Sequence, residues 1–299
     1  MMQKLDAVDR AAILVPLIAA LAYGEDLKMI KAVTPGSFGL HVDADIWYTG
    51  PECDGASLMS LDHGASTFRL EKRQMRVHDA RAHASSLSFD RNGFTLLEHR
   101  TDIDFQNKND VTTRYYPQAA HLVRELTGAL DVLVFADLIR SEVRDEGAEP
   151  AFSAHVDFCE DTIRRLVRIQ RPEQADEYLK KRLISINLWR PITPVQRLPL
   201  ALCDASTVNR SDMMTIYLSG REAPDGKGDF AGLNLAYNRD HRWYYYPNMH
   251  PGEVLAFKLY DSDERFAGLT AHTAFDDPAS PADAGRRISH ETRTIAVLD

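Results

Sequence analysis

The chain has 299 residues, a formal net charge of −9, and a composition that is 44% hydrophobic and 26% charged. That is ordinary for a water-soluble globular protein, with enough chain for one large β-rich domain or two small ones. The acidic balance and the lack of a basic stripe argue against a nucleic-acid partner, because phosphate binding needs a basic surface.

From the N-terminus, the first apolar run covers 11–22. Asp6 and Asp9 precede it, whereas a secretion signal carries a basic leader. The run is also too short to span a bilayer. A buried helix or a dimer-contact segment is expected, and no other stretch suggests a membrane. Residues 1–65 read as a helical or irregular extension, serving as a substrate lid or a homodimer contact. Residues 66–299 read as the main domain. The three cysteines, Cys53, Cys159 and Cys203, are odd in number and fit no zinc spacing, which favours a reduced cytoplasmic protein.

Short β-like runs follow at 67–70, 93–97 and 132–135. Between them 115–126 has helical spacing, with Gly128 as its stop. From 151 onward the chain is strand-rich, with candidate strands at 152–158, 184–189, 200–203, 214–218, 233–237, 243–246, 254–260, 271–275 and 292–298. A helical insert over 161–183 interrupts them. It carries Ile163, Leu166 and Ile169 and is split at Pro172. Many short strands predict a mainly β fold, a double-stranded β-helix (jelly roll, cupin-like) with helical insertions. No Gly-rich loop follows a strand as in a dinucleotide or P-loop site.

The run 152–158 carries most of the chemistry. On a strand, residues two apart point to one face, so His155 and Asp157 project together. A second His downstream would complete a set of two imidazoles and one carboxylate. Such a set binds ferrous iron and leaves positions open for O2. His241, His250, His272 and His290 are available. His272 is preferred because it lies in an apolar strand-like run, 15 residues before Arg287. His241 and His250 sit in turns, and His290 falls beyond Arg287. Cys159 could be a soft ligand on the same face, or simply a small buried hydrophobe.

Arg287 and Ser289 share a face and form a carboxylate clamp, because a guanidinium matches a carboxylate with a two-pronged fork. His-x-Asp, a distant His and Arg-x-Ser together form the linear signature of a non-haem iron oxygenase using 2-oxoglutarate. Glu291 and Arg293 continue the alternation as a supporting salt-bridge layer. Asn187 and Trp189 share a strand face, and Asn187 and Arg190 are further candidates for contact with the co-substrate. The aromatic run Trp243–Tyr246 is either core packing or a substrate wall.

At these residues the chain resembles a known group of fungal and bacterial oxygenases. The group includes the cephamycin 7α-methoxylation component, gibberellin desaturase-like proteins and NvfI-type meroterpenoid oxygenases. The resemblance covers 67–299. It is carried by Asn92-Gly-Phe94, Tyr115-Tyr-Pro117, His155-Val-Asp157, Asn187-Leu-Trp-Arg-Pro191, Trp243-Tyr-Tyr-Tyr-Pro247, His272-Thr-Ala-Phe275 and Arg287-Ile-Ser289. Each piece is weak alone, but the ordered set is specific. The resemblance implies a jelly-roll core, Fe(II), 2-oxoglutarate and O2. It also implies oxidation of a small natural product by hydroxylation, desaturation or ring closure, with release of succinate and CO2. Two alternatives stay open: a jelly-roll metalloenzyme that does not use 2-oxoglutarate, and a non-catalytic partner subunit.

Overall fold

The structure, a computed structural model, describes residues 40–50, 57–59, 69–143, 146–219 and 230–299. The apolar run 11–22, Cys53 and most of the 1–65 extension lie outside the described residues. In chain order the strands are β1 (His41–Thr49), β2 (Ser57–Met59), β3 (Leu70–Asp79), β4 (Phe94–Glu98), β5 (Asp131–Ser141), β6 (His155–Val156), β7 (Arg182–Pro191), β8 (Leu200–Cys203), β9 (Met213–Ser219), β10 (Phe230–Leu235), β11 (Trp243–Tyr245), β12 (Glu253–Asp261), β13 (His272–Ala274) and β14 (Ile288–Leu298). The helices are α1 (Phe89–Asn92), α2 (Lys108–Asp110), α3 (Tyr116–Thr127), α4 (Glu160–Gln170) and α5 (Ala175–Tyr178).

Two curled sheets face each other, as expected for a jelly roll. One runs β4-β12-β7-β14-β5 and the other β1-β3-β11-β8-β13-β6-β10-β9-β2. β7 is the middle of the smaller sheet, and nearly all of it is buried. Its two faces divide cleanly because strand side chains alternate. Ile184, Ile186 and Leu188 face outward and pack with Leu122 and Val123 of α3. Trp189 faces inward and packs with Leu255, Phe257 and Ile295 in the larger core.

α3 is ordered by Pro in its first turn and ends at Gly128, whose φ of 71° lets its N–H reach the Arg124 carbonyl. A π-turn over Val111–Tyr115 feeds into it. The helical insert divides as expected around Pro172. The buried positions of α4 are Thr162, Ile163, Leu166 and Val167, so Val167 takes the place expected of Ile169. This is the 3.6-residue period at work.

Several strands differ from their sequence reading. β1 lies in the stretch read as irregular, and β3 extends well past residue 70. Outward Lys, Arg, Glu and Gln side chains hide their alternation with Met75 and Val77. The strand expected over 152–158 shrinks to His155–Val156.

Candidate metal centre and co-substrate pocket

β6 and β13 lie side by side, with His155 directly opposite His272. The two imidazole rings are 4.4 Å apart between centroids. Asp157 lies just beyond the end of β6, yet its Oδ1 comes within 3.8 Å of His155 Nε2. Ligand atoms of His155, Asp157 and His272 all lie within 4.8 Å of one another. Gly232 makes this approach feasible, because a Cβ there would sit 2.7 Å from the Asp157 carbonyl oxygen.

Backbone carbonyls fix both imidazoles. His155 Nδ1–H donates to the Ser153 carbonyl at 2.7 Å, and His272 Nδ1–H to the Thr270 carbonyl at 3.3 Å. Each Nε2 therefore keeps a free lone pair. Burial first, then neighbouring His155, pushes His272 down to about 4, so it is neutral at ordinary pH. Burial alone would raise the Asp157 carboxyl. Arg293, His272 and His155 outweigh that and hold it well below the usual carboxylate range. Thr270 is itself braced from outside: its hydroxyl donates to the Gly93 carbonyl, 3.1 Å away. Gly93 has a φ of 87°, and a Cβ there would lie 2.2 Å from Thr270 Oγ1.

Beside the triad, paired β7 and β14 present a polar face. Asn187 is opposite Arg293, Trp189 opposite Glu291, and Pro191 opposite Ser289. Asp157 receives Arg293 Nη2–H at 3.1 Å on Oδ1. Its Oδ2 receives Arg293 Nε–H at 3.3 Å and Asn187 Nδ2–H at 3.4 Å. Arg293 also reaches Glu291 at 3.2 Å, and Glu291 takes Arg140 Nε–H at 2.9 Å. The expected salt-bridge layer is thus present, with Arg140 as a member the sequence did not reveal.

Six buried side-chain polar atoms among the described residues have no partner, and four belong to this face: Asn187 Oδ1, Trp189 Nε1, Arg287 Nε and Ser289 Oγ. A buried donor without an acceptor is costly, so such a cluster suits a polar ligand. Arg287 lies 5.3 Å over the Trp189 ring, donates through Nη1 to the Leu198 carbonyl, and is pushed down to about 10 by burial. Leu198 adopts a left-handed φ of 49°, an uncommon conformation for a non-glycine residue. The donor set fits the group the sequence implies: two imidazoles and an ionised carboxylate for a ferrous ion, and a guanidinium and a hydroxyl for a carboxylate.

Other candidates fall elsewhere. Arg190 is a correction: it points to the outer face of β7, opposite His290. There it donates to Tyr115 Oη at 3.2 Å and to the carbonyls of His99 at 2.8 Å and Pro251 at 3.0 Å, and it also meets His99 Nδ1. Adjacent strand residues cannot share a face, so Arg190 cannot join Asn187 at the pocket. Cys159 precedes α4 with its thiol against Thr162 Oγ1, and it is not a member of the metal-binding group. His241 pairs with Asp212, His250 is largely exposed beside Glu253, and His290 pairs with Asp137 on the outer face. Tyr244 and Tyr246 are buried against Phe94 and act as core packing. Among the described residues no helix is long and apolar enough to cross a membrane.

A family model described as an oxidoreductase/YMDC permease-like domain matches residues 46–297. The hydroxylase/desaturase efuI of Hormonema carpetanum is 31% identical over 85% of this chain and 94% of its own length. The Fe(II)/2-oxoglutarate-dependent dioxygenase nvfI of Aspergillus novofumigatus is 29% identical over 77% of this chain and 85% of its own. The solved structure of the iron and alpha-ketoglutarate-dependent endoperoxidase NvfI superposes with a TM-score of 0.79 at 25% identity, covering 87% of this chain and 98% of that one. The chain therefore belongs to this oxidoreductase family and is one of its iron- and 2-oxoglutarate-dependent oxygenases.

Proposed function

We propose that His155, Asp157 and His272 hold Fe(II), that Arg287 and Ser289 hold the distal carboxylate of 2-oxoglutarate, and that a small natural-product molecule is oxidised beside them. The observation that carries this reading is a pairing of unspent groups. Three ligand atoms converge within 4.8 Å, and unpartnered donors of Arg287, Ser289 and Trp189 lie on the neighbouring sheet face. When bound, the iron and its co-substrate supply the oxidising chemistry, consuming O2 and releasing succinate and CO2.

The chain's own residues prepare that centre. The Ser153 and Thr270 carbonyls hold the Nδ1 protons, so that in the neutral rings the lone pair lies on the metal-facing Nε2. Arg293 keeps Asp157 ionised. Arg287 offers a fork that a lysine could not reproduce. Asn187 steadies Asp157, and its Oδ1 remains available to a ligand. Hydroxylation, desaturation or ring closure then depends on where the substrate sits. Residues 1–65 enter this proposal as a unit that shapes substrate access or makes a homodimer contact. A cytoplasmic setting fits the free thiols of Cys159 and Cys203.

The test is a mass-spectrometric screen of amino acids, peptides, and terpenoid and polyketide intermediates. A true substrate gains one oxygen or loses two hydrogens, with a matching amount of succinate. His155→Ala, Asp157→Ala and His272→Ala should each lose iron and turnover while remaining folded. A His272→Ala protein that keeps both, alongside a His250→Ala protein that loses both, would overturn the ligand assignment.

A further inference from the structure

We propose that Arg293 is the positioning residue for the metal-binding carboxylate of Asp157, and that Glu291 and Arg140 hold Arg293 in place. The inference rests on the iron site proposed above. It starts from an irregularity: Asp157 lies outside the two-residue strand β6, in a bend. Ladder hydrogen bonds therefore do not fix the direction of its side chain, and the carboxylate must be aimed by the groups it touches. Among the described residues the donors to it are Arg293 and Asn187.

The contacts are unequal. Oδ2 takes two donors, Arg293 Nε–H and Asn187 Nδ2–H. Oδ1 takes Arg293 Nη2–H alone and is the oxygen nearest His155 Nε2. That same Nη2 already reaches Glu291. The guanidinium can thus give up its hold on Oδ1 and keep Oδ2, which leaves Asp157 presenting one oxygen to a metal. A carboxylate bound through one oxygen leaves more coordination positions open.

Arg293 is itself anchored. Its neighbour Glu291 is gripped by Arg140 at 2.9 Å, and Arg140 Nη1–H donates to the Glu149 carbonyl at 3.0 Å. Glu149 lies on the segment that leads into His155. The chain of alternating charges Asp157–Arg293–Glu291–Arg140 therefore ties the carboxylate, β14, β5 and the approach to β6 into one unit. A buried ion network is a poor source of stability compared with well-packed apolar residues, so its use here is better sought in orientation.

The experiment measures anaerobic Fe(II) and Co(II) affinity by calorimetry, alongside the melting temperature of the metal-free protein. Arg293→Met should weaken metal binding about 10- to 100-fold, and Arg293→Lys should restore part of it. Glu291→Gln, which loosens Arg293 without touching Asp157, should weaken binding by a smaller factor, about threefold to tenfold, and covers the case in which Arg293→Met fails to fold. A merely structural network would lower the melting temperature and leave metal affinity alone. Wild-type affinity in folded Arg293→Met or in Glu291→Gln overturns the inference. Equal metal affinity in wild type and Asp157→Ala would instead overturn the iron site itself.

Discussion

Arg190 and Arg287 are both fully buried, Arg190 on β7 and Arg287 just before the paired β14, yet they serve opposite sides of the smaller sheet. On the outer face, Arg190 spends every nitrogen on Tyr115, His99 and the Pro251 carbonyl. On the inner face, Arg287 spends Nη1 on Leu198 and keeps a buried Nε without a partner. Burial alone does not tell a structural arginine from a binding one. The difference lies in whether the donors are used up within the protein.

The most forceful way to break that comparison is to remove each side chain and see which property moves. Arg287→Ala should raise the 2-oxoglutarate KM about 100-fold, from loss of a buried charge-assisted pair that costs about 2–5 kcal/mol, with Arg287→Lys in between. Steady-state kinetics with varied 2-oxoglutarate checks this, and an unchanged KM would remove Arg287 from the co-substrate site. Its metal-free stability should change little, because the deleted group was under-bonded.

Arg190→Leu should do the reverse. It strands the carbonyls of His99 and Pro251 and the Tyr115 hydroxyl, so stability should fall by about 3 kcal/mol, read from urea unfolding. The 2-oxoglutarate KM should stay within about twofold of wild type. Trp189→Phe is a finer probe. It keeps a ring beneath Arg287 and deletes the unpartnered indole N–H. A rise in KM of about threefold to tenfold would make that N–H a ligand contact, whereas no rise would leave Trp189 to core packing.

The smallest effect concerns acid. Burial first, then Arg190 and His121, pushes His99 down to about 4 from an ordinary 6.5. Below pH 6.5 the unfolded chain takes up a proton that the folded chain resists until about pH 4. The stability His99 contributes is therefore complete above pH 6.5 and is lost as pH falls through that window. Arg190→Leu should make this acid limb shallower, while Arg287→Ala should leave it unchanged. His272, likewise pushed down to about 4, titrates in every variant, so the difference between the unfolding curves isolates His99.

Much of the site was readable because its chemistry sits at close spacing along the chain. His155 and Asp157, and Arg287 and Ser289, are each two residues apart, and strand alternation predicts that each pair shares a face. The same parity rule, applied from Asn187 through Trp189, excludes Arg190, whose only recommendation is its charge. Arg140 stayed hidden for another reason. Its partner Glu291 lies 151 residues away, and the pairing depends on β5 lying beside β14, which no local pattern encodes. β3 is hard to read because one side is charged and exposed, and β6 is shorter than its sequence implies because the alternation across 152–158 does not mark where pairing stops.

Gly93 carries this distance between sequence and site one step further. It touches no ligand, yet its bare α-carbon is the space into which Thr270 fits, and the Thr270 carbonyl aims His272. A single added methyl group would have to displace Thr270 or bend the α1–β4 turn, and either movement reaches an imidazole through two hydrogen bonds. The fragility of this enzyme is thus not graded by nearness to its reactive centre. A surveyor of damaging variants who ranked positions by that distance alone would pass over a corner with no functional group at all.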